Sequence, residues 1–332
     1  MITRALWNGV EIPALGLGCW AIGGPFYSGK TPLGWGEVDD KQSVAAIHRA
    51  ADLGICFFDT AQAYGTGHSE TVLGQALEQR PDVLIGTKIG IGVNPQAKQV
   101  TGSDIAPAAI EASIDASLKR LRREKIDLVH LHLNSLPVAE AEAVFNTLGA
   151  LTVKGKIGAY GWSTDFPDRA EAFASRASFV SVQHAMNVFF RADALMPVIE
   201  RHGLLSINRS PLAMGLLSGK YAPGKIMDKS DIRSQTMDWM AYFKDGEAAP
   251  DYARQLGAVR SLLQSDGRTL VQGAIGWLWA RSSRTLPIPG FRTAAQVDDL
   301  AGALQKGPLP QDVMREIERT IIREPEGAPR ER

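Results

Sequence analysis

The chain has 332 residues, 45% of them hydrophobic, and carries 36 basic against 36 acidic side chains, a formal net charge of zero. That balance gives no long-range pull toward nucleic acid or an anionic membrane, and the best apolar run, LVQGAIGWLWA, is too short to span a bilayer. Cys19 and Cys56 sit in apolar runs as small buried hydrophobes rather than a disulfide framework, and no spacing of His, Cys and carboxylates resembles a metal site.

The N-terminal MITRALWNGVEIP lacks the apolar core of a secretory signal, so a reducing, cytoplasmic setting is the expectation. Residues 2–14 read as a β-hairpin turning at Asn8-Gly9. Two glycine patterns follow. Gly16-Leu-Gly18-Cys-Trp-Ala21 resembles a dinucleotide fingerprint, and residues 24–31, GPFYSGKT, match the phosphate-loop pattern GxxxxGK[ST]. Both patterns need a helix starting at once, whose N-terminal N–H groups hold phosphate. Gly23-Gly24-Pro25 denies it to the first, and Pro32, Gly34 and Gly36 deny it to the second.

Apolar strand runs then alternate with helical patterns. Strands are expected at 15–19, 55–58, 83–87, 128–131, 157–161, 179–182, 204–207 and 285–288. Helices are expected at 41–53, 69–78, 107–121, 138–153, 168–175, 193–201 and 270–280, with a last pair at 294–304 and 310–322. Ser69 reads as an N-cap with Glu70 in the first turn. This alternation, without a composition break, predicts one (β/α)8 barrel domain over 1–332, with an N-terminal hairpin and extra C-terminal helices; a doubly wound sheet is the rival. Residues 222–249 are polar, Met- and Asp-rich and weakly periodic, as in a lid or substrate loop, and 323–332 reads as a frayed tail.

Chemistry collects at the strand ends. The second strand ends in Asp59, the third in Lys88 and the fourth in His132, and Tyr64 lies in the loop after the second. In a parallel barrel these tips meet at one mouth. A cation beside a phenol favours the phenolate, which predicts a lowered Tyr64 pKa and a usable proton donor. Asp59 would hold Lys88, and His132 would orient a carbonyl. None of these supplies electrons, so a reduction needs a bound hydride carrier. His130 shares the His132 face and reads as a hydrogen-bonded core residue; His68 and His184 read as helix-start and loop residues.

With LGLGCW, FFDTAQAYGTGHSE, GTK, IDLVHLH, IGAYGWS, VSVQHAMN, SPLAMGLLSGKY and PIPGFRTAAQ in this order, the chain resembles the aldo-keto reductase superfamily over nearly its whole length. The resemblance implies the same barrel and a metal-free, NAD(P)(H)-dependent interconversion of an aldehyde or ketone and its alcohol. Its catalytic tetrad falls on Asp59, Tyr64, Lys88 and His132, with Tyr64 as general acid. It places the nicotinamide carboxamide at Ser163, Thr164 and Gln183, where Thr164 stands for the family's Asn. Arg209 stands where the family often stacks a tyrosine on the nicotinamide. Ser210, Leu212 and Gly215 are implied along the pyrophosphate, and Gly290, Arg292, Thr293, Gln296 and Asp299 around the adenosine phosphate, with Leu300 in place of an Asn. Arg292 favours NADP(H), with NAD(H) still possible. Trp20 and Trp162 are expected in the substrate wall.

Two other readings remain open at this stage. Some members of the superfamily are potassium-channel β subunits, which bind cofactor with little turnover; the lack of a segment before the hairpin favours the plain enzyme. A phosphate-binding barrel lyase or isomerase is the third reading. A small-molecule substrate is expected, and oligomeric state is not legible.

Overall fold

Eight short runs rich in Val, Ile, Leu and Phe pair edge to edge in parallel, because each is buried on both faces. In the structure, a computed structural model describing residues 2–221, 224–237, 239–323 and 326, they are Leu17–Gly18, Phe57–Asp59, Leu84–Ile89, Ile126–Leu131, Ile157–Ser163, Phe179–Ala185, Leu205–Arg209 and Thr285–Pro287. They form one sheet in chain order. The first and last strands meet through Gly16 N to Pro287 O at 3.0 Å and Gly18 N to Pro289 O at 2.9 Å, closing the barrel. Gly18 is needed there: a Cβ on it would stand 2.8 Å from Ile288 O.

Period-2 alternation sorts the strand residues. Phe57, Leu128, Ala159, Leu205, Ile207, Leu286 and Ile288 point inward and pack with Leu6 and Ile12 of the hairpin Thr3–Ala5 and Glu11–Pro13. The hairpin therefore plugs the barrel floor, where Arg4 Nε also donates to Thr285 O at 2.8 Å. The outward residues form a larger core with the helices. Two residues further along several strands, the inward position turns polar: Phe57 gives way to Asp59, Gly86 to Lys88, Leu128 to His130 and Ile207 to Arg209. The lower barrel is thus apolar filling and the upper barrel is a polar mouth.

All eight expected strands form, and each expected helix has a counterpart within a few residues of its expected ends. One helix, Pro250–Leu263, was not expected; Pro250 opens it and Leu256, Val259 and Leu263 bury one face. The GPFYSGKT stretch forms a small hairpin, Tyr27–Ser28 against Thr31–Pro32, and joins Gln99–Ser103 and Ile91–Asn94 in a four-stranded sheet beside the mouth. Of the 222–249 segment, residues 222, 223 and 238 lie outside the described residues. The rest contains a 3-10 turn, Ile232–Ser234, and a hairpin, Phe243–Lys244 with Glu247–Ala248. Of the expected tail, 324, 325 and 327–332 lie outside the described residues. Arg323 and Glu326 are held rather than frayed: Arg323 Nη2 donates to Val188 O at 2.6 Å and Glu326 accepts from Asp193 N at 2.7 Å. Among the described residues no helix is long and apolar enough to cross a membrane.

Candidate active site

The mouth is built around one ammonium. Lys88, inward-facing on the third strand, is fully buried, and its Nζ donates to Asp59 Oδ2 at 2.6 Å, Thr60 O at 2.8 Å and Tyr64 Oη at 3.1 Å. Asp59 is fixed by its strand and by Gln183, whose Nε2 donates to Asp59 Oδ1 at 2.7 Å. Tyr64 is set by a tight left-handed turn, Gly65, Thr66 and Gly67, with φ of 60°, 54° and 102°. Gly65 admits no side chain, since a Cβ would stand 1.7 Å from Gly23 O. The helix after the turn starts at His68 with Gly67 as its N-cap, so Ser69 is not the cap. Ser69 is turned inward instead, its Oγ donating to Cys19 O at 2.9 Å, which ties the turn to the first strand.

The Tyr64 ring lies parallel to Trp20, 5.8 Å between centroids at 16°, and edge-to-face with His132 at 5.8 Å and 85°. His132 follows the fourth strand, its N donating to Ile89 O at 2.8 Å. The four groups expected together are therefore in one place.

Their electrostatics differ in one respect from the expectation. Burial pushes Lys88 down, but the charge of Asp59 and the contact with Tyr64 outweigh it, so the ammonium is held above its ordinary value. Burial raises the Asp59 carboxyl against the pull of Lys88 and Gln183. For Tyr64, burial is the largest influence and Asp59 adds to it; Lys88 and Arg209 only partly oppose them. The phenol therefore lies above its ordinary value and keeps its proton, whereas the sequence suggested a lowered value. His132 is pushed well below its ordinary value by burial, then by Lys88 and Arg209, and is neutral. His130 is inside the barrel, bonded to Ser181 Oγ at 2.9 Å and lowered to about 3 by burial. His184 is a strand residue, not a loop residue, bonded to Ser206 Oγ at 2.7 Å.

A cavity of about 580 Å³ runs from these groups toward the end of the eighth strand. Ser163 and Gln183, register partners on adjacent strands, line it, as do Arg209, Ser210, Leu212, Gly215, Gly290, Arg292, Gln296, Asp299 and Leu300. Trp20 lines it too. Trp162 does not: its neighbour Ser163 points inward, so Trp162 points outward into Phe145 and Phe173, with Nε1 donating to Leu133 O at 2.8 Å. Thr164 is likewise turned away, fully buried, its Oγ1 donating to Asn134 O at 2.7 Å. Thr293 stands behind the wall, capping the helix Ala294–Lys306 with its Oγ1 on Gln296 N at 3.2 Å. Asp299 lines the cavity but is also tied to Thr269 Oγ1 at 2.8 Å.

Sequence reasoning missed several wall residues. Asn134 follows His132 by two and shares its side of the loop. Behind the wall, Asp165 pairs with the wall residue Arg209 at 2.6 Å. From the 222–249 segment come Ile232, Arg233, Trp239 and Tyr242. Arg233 makes a two-pronged pair with Asp231, at 2.9 and 2.6 Å, and lies 4.6 Å over Trp35, while Ile232 N donates to Gly34 O at 2.8 Å. The contacts with Trp35 and Gly34 strap the segment across the cavity. Their charge pairing and stacking were the only sequence signal, and spacing alone did not connect them. Among the described residues no cluster of three metal-ligating side chains occurs.

A family model described as the aldo/keto reductase family matches residues 14–322. The chain is 26% identical over 315 residues to aldo-keto reductase yakc [NADP(+)] of Schizosaccharomyces pombe, covering 91% of this chain and 86% of that one. It is 26% identical over 332 residues to a probable voltage-gated potassium channel subunit beta of Arabidopsis thaliana, covering 96% and 95%. Among solved structures, the glycerol dehydrogenase of Gluconobacter oxydans matches with a TM-score of 0.81 and 27% identity over 98% of each chain.

Proposed function

The chain belongs to the aldo/keto reductase family of oxidoreductases, and from that premise we propose that it interconverts an aldehyde or ketone and its alcohol, with NADP(H) as hydride carrier and Tyr64 as proton donor and acceptor. The observation that carries this reading is the buried Lys88 ammonium bonded at once to Asp59 and Tyr64, at 2.6 and 3.1 Å, beside a neutral histidine at the head of the cavity. We read residues 1–332 as one domain serving that cavity.

The wall suits a nicotinamide dinucleotide. Hydroxyl and amide groups, Ser163 and Gln183, stand beside the tetrad to take a carboxamide. At the far end Arg292 meets the N-terminus of Ala294–Lys306, where the helix dipole favours an anion. Arg292 Nη2 is anchored on Trp35 O at 2.5 Å, and among the described residues no carboxylate pairs with it, so its charge remains available to a 2′-phosphate. The names of the yeast and Gluconobacter relatives agree with NADP and with an alcohol–carbonyl couple.

When bound, the dinucleotide supplies the hydride. In reduction, Tyr64 Oη gives its proton to the carbonyl oxygen as that oxygen gains negative charge. Lys88 holds Oη and stabilises the phenolate that forms; Asp59 keeps Lys88 charged and in place. Neutral His132 hydrogen-bonds the same oxygen and sets the angle. Trp20 packs on the Tyr64 ring and holds its angle. In oxidation the same atoms act in reverse order.

The test is to titrate the protein with NADPH and NADH by fluorescence, then to follow absorbance with aldehydes, ketones, sugars and alcohols. Tight NADPH binding with turnover on a carbonyl or alcohol is expected. Failure to bind either dinucleotide would refute the reading, and binding with no turnover on any class would favour the channel-subunit type of role.

A further inference from the structure

Arg209 and Asp165 form an ion pair that the proposed reaction does not itself require. Arg209 Nη2 donates to Asp165 Oδ2 at 2.6 Å, and their side chains are 15% and 10% exposed. Asp165 is braced on two more sides: its Oδ1 accepts from Ala185 N at 2.9 Å, and its own N donates to Asn134 Oδ1 at 2.8 Å. The arrangement also accounts for Thr164, whose side chain is drawn back onto Asn134 O while the next residue reaches Arg209. The loop after the fifth strand is thus folded to hold this guanidinium still.

The pair is asymmetric toward the cavity. Arg209 lines it together with Tyr64 and His132, whereas Asp165 does not. The cation therefore faces the reacting end and its counter-ion stands behind. Its field reaches that end: it acts to lower both Tyr64 and His132. Any ring that delivers a hydride to a carbonyl bonded to Tyr64 must come close to Tyr64, and so within the same field. A nicotinamide ring carries a positive charge when oxidised and none when reduced. We propose, on the reading that this cavity takes a nicotinamide, that the Arg209–Asp165 pair sets the cavity's redox preference, so that it holds the reduced dinucleotide more tightly than the oxidised one.

The test is the ratio of dissociation constants, NADP⁺ over NADPH, measured by calorimetry on the wild type, Arg209→Gln and the double variant Arg209→Gln/Asp165→Asn. The wild-type ratio should be about ten or more. Arg209→Gln removes the cation between Asp165 and the cavity and should lower the ratio by about tenfold or more, chiefly by tightening NADP⁺. The double variant keeps a neutral hydrogen-bonded pair of similar shape, and its ratio should fall between the two. A ratio unmoved in both variants would overturn the proposal. So would an equal weakening of both oxidation states in Arg209→Gln, which would assign Arg209 to the pyrophosphate. A wild type that binds neither dinucleotide would instead remove the nicotinamide reading beneath it.

Discussion

Asp59→Asn and Lys88→Met, made singly and together, separate what the buried pair does for folding from what it does for chemistry. Lys88 and Asp59 have side chains 0% and 3% exposed, 2.6 Å apart. Removing either partner strands a charge out of water, and such losses cost about 3–5 kcal/mol. In Asp59→Asn the ammonium loses its counter-charge and keeps neutral acceptors such as Thr60 O and Tyr64 Oη. In Lys88→Met the carboxylate keeps Gln183, and because burial already raises its pKa it can escape part of the penalty by taking up a proton. The double variant removes both charges and should recover most of the loss, since replacing a whole buried pair by neutral groups is often close to neutral. The assay is denaturant unfolding at pH 7 alongside steady-state reduction. Stability should return in the double variant and turnover should not. Single variants costing under about 1 kcal/mol, or a double variant that loses the sum of the two, would refute the claim that the pair is coupled. The sign with pH is also fixed. Lys88 is raised in the folded state, so its contribution is complete below its ordinary value of 10.5 and is lost only as pH climbs through the folded value.

Tyr64→Phe removes the proposed proton donor, and turnover should fall by about 10²–10⁴-fold while NADPH affinity is nearly unchanged; wild-type turnover would show that Tyr64 is not the acid. Arg292→Ala should weaken NADPH by about tenfold or more and NADH little, as titration of both cofactors would show; equal losses would contradict a 2′-phosphate contact. Trp162→Ala empties a packed site outside the barrel wall and should cost about 3–5 kcal/mol in a melt, with KM for a carbonyl substrate unchanged in the folded protein. His130 is lowered from 6.5 to about 3, so its contribution is complete above pH 6.5 and falls as the unfolded chain takes up a proton below it. That slope is about 1.4 kcal/mol per pH unit, and His130→Gln should flatten the acid limb of the stability profile by this amount; parallel limbs would argue against a buried neutral histidine.

Three of the tetrad were legible from two facts, which residue ends each strand and that strand ends converge in a barrel; Tyr64 came from the loop that follows the second strand. Asp59, Lys88 and His132 satisfy both with no knowledge of side-chain partners. Trp162 was misplaced although the information was present. It is adjacent to Ser163, and neighbours on a strand point to opposite faces, so both could not line one cavity. Thr164 could not have been placed this way. Its direction depends on a carbonyl at Asn134, on another loop. The helix Pro250–Leu263 did have its signal, with Leu256, Val259 and Leu263 on one stripe behind an N-terminal proline, but the polar stretch before it obscured where periodicity resumed. The hairpin in GPFYSGKT had only two-residue strands, too short for any alternation to show. Strand partners 70 residues away, such as Gln99, whose side chain bonds Gly29 O, complete it.

The sign of the Tyr64 shift was the least legible feature, and it changes the account of catalysis. A lysine beside a phenol suggests a tyrosine loosened in the resting state. Here burial of the phenol outweighs the pull of Lys88, and the Asp59 carboxylate on the far side of Lys88 adds to it by cancelling part of the lysine's field. The resting phenol is therefore a secure donor. The bond from Lys88 Nζ to Oη nevertheless already points at the atom that becomes negative when the proton leaves. Its strength rises with that charge, in a buried site where no water has to reorganise. A pKa measures the difference between the two protonation states, so the pull of Lys88 on the phenolate lowers Tyr64 and the barrier to proton donation alike, while burial and Asp59 oppose both. In the proposed reaction Asp59 thus has two opposed effects: it holds Lys88 charged and in place, and its own charge works against the phenolate that forms.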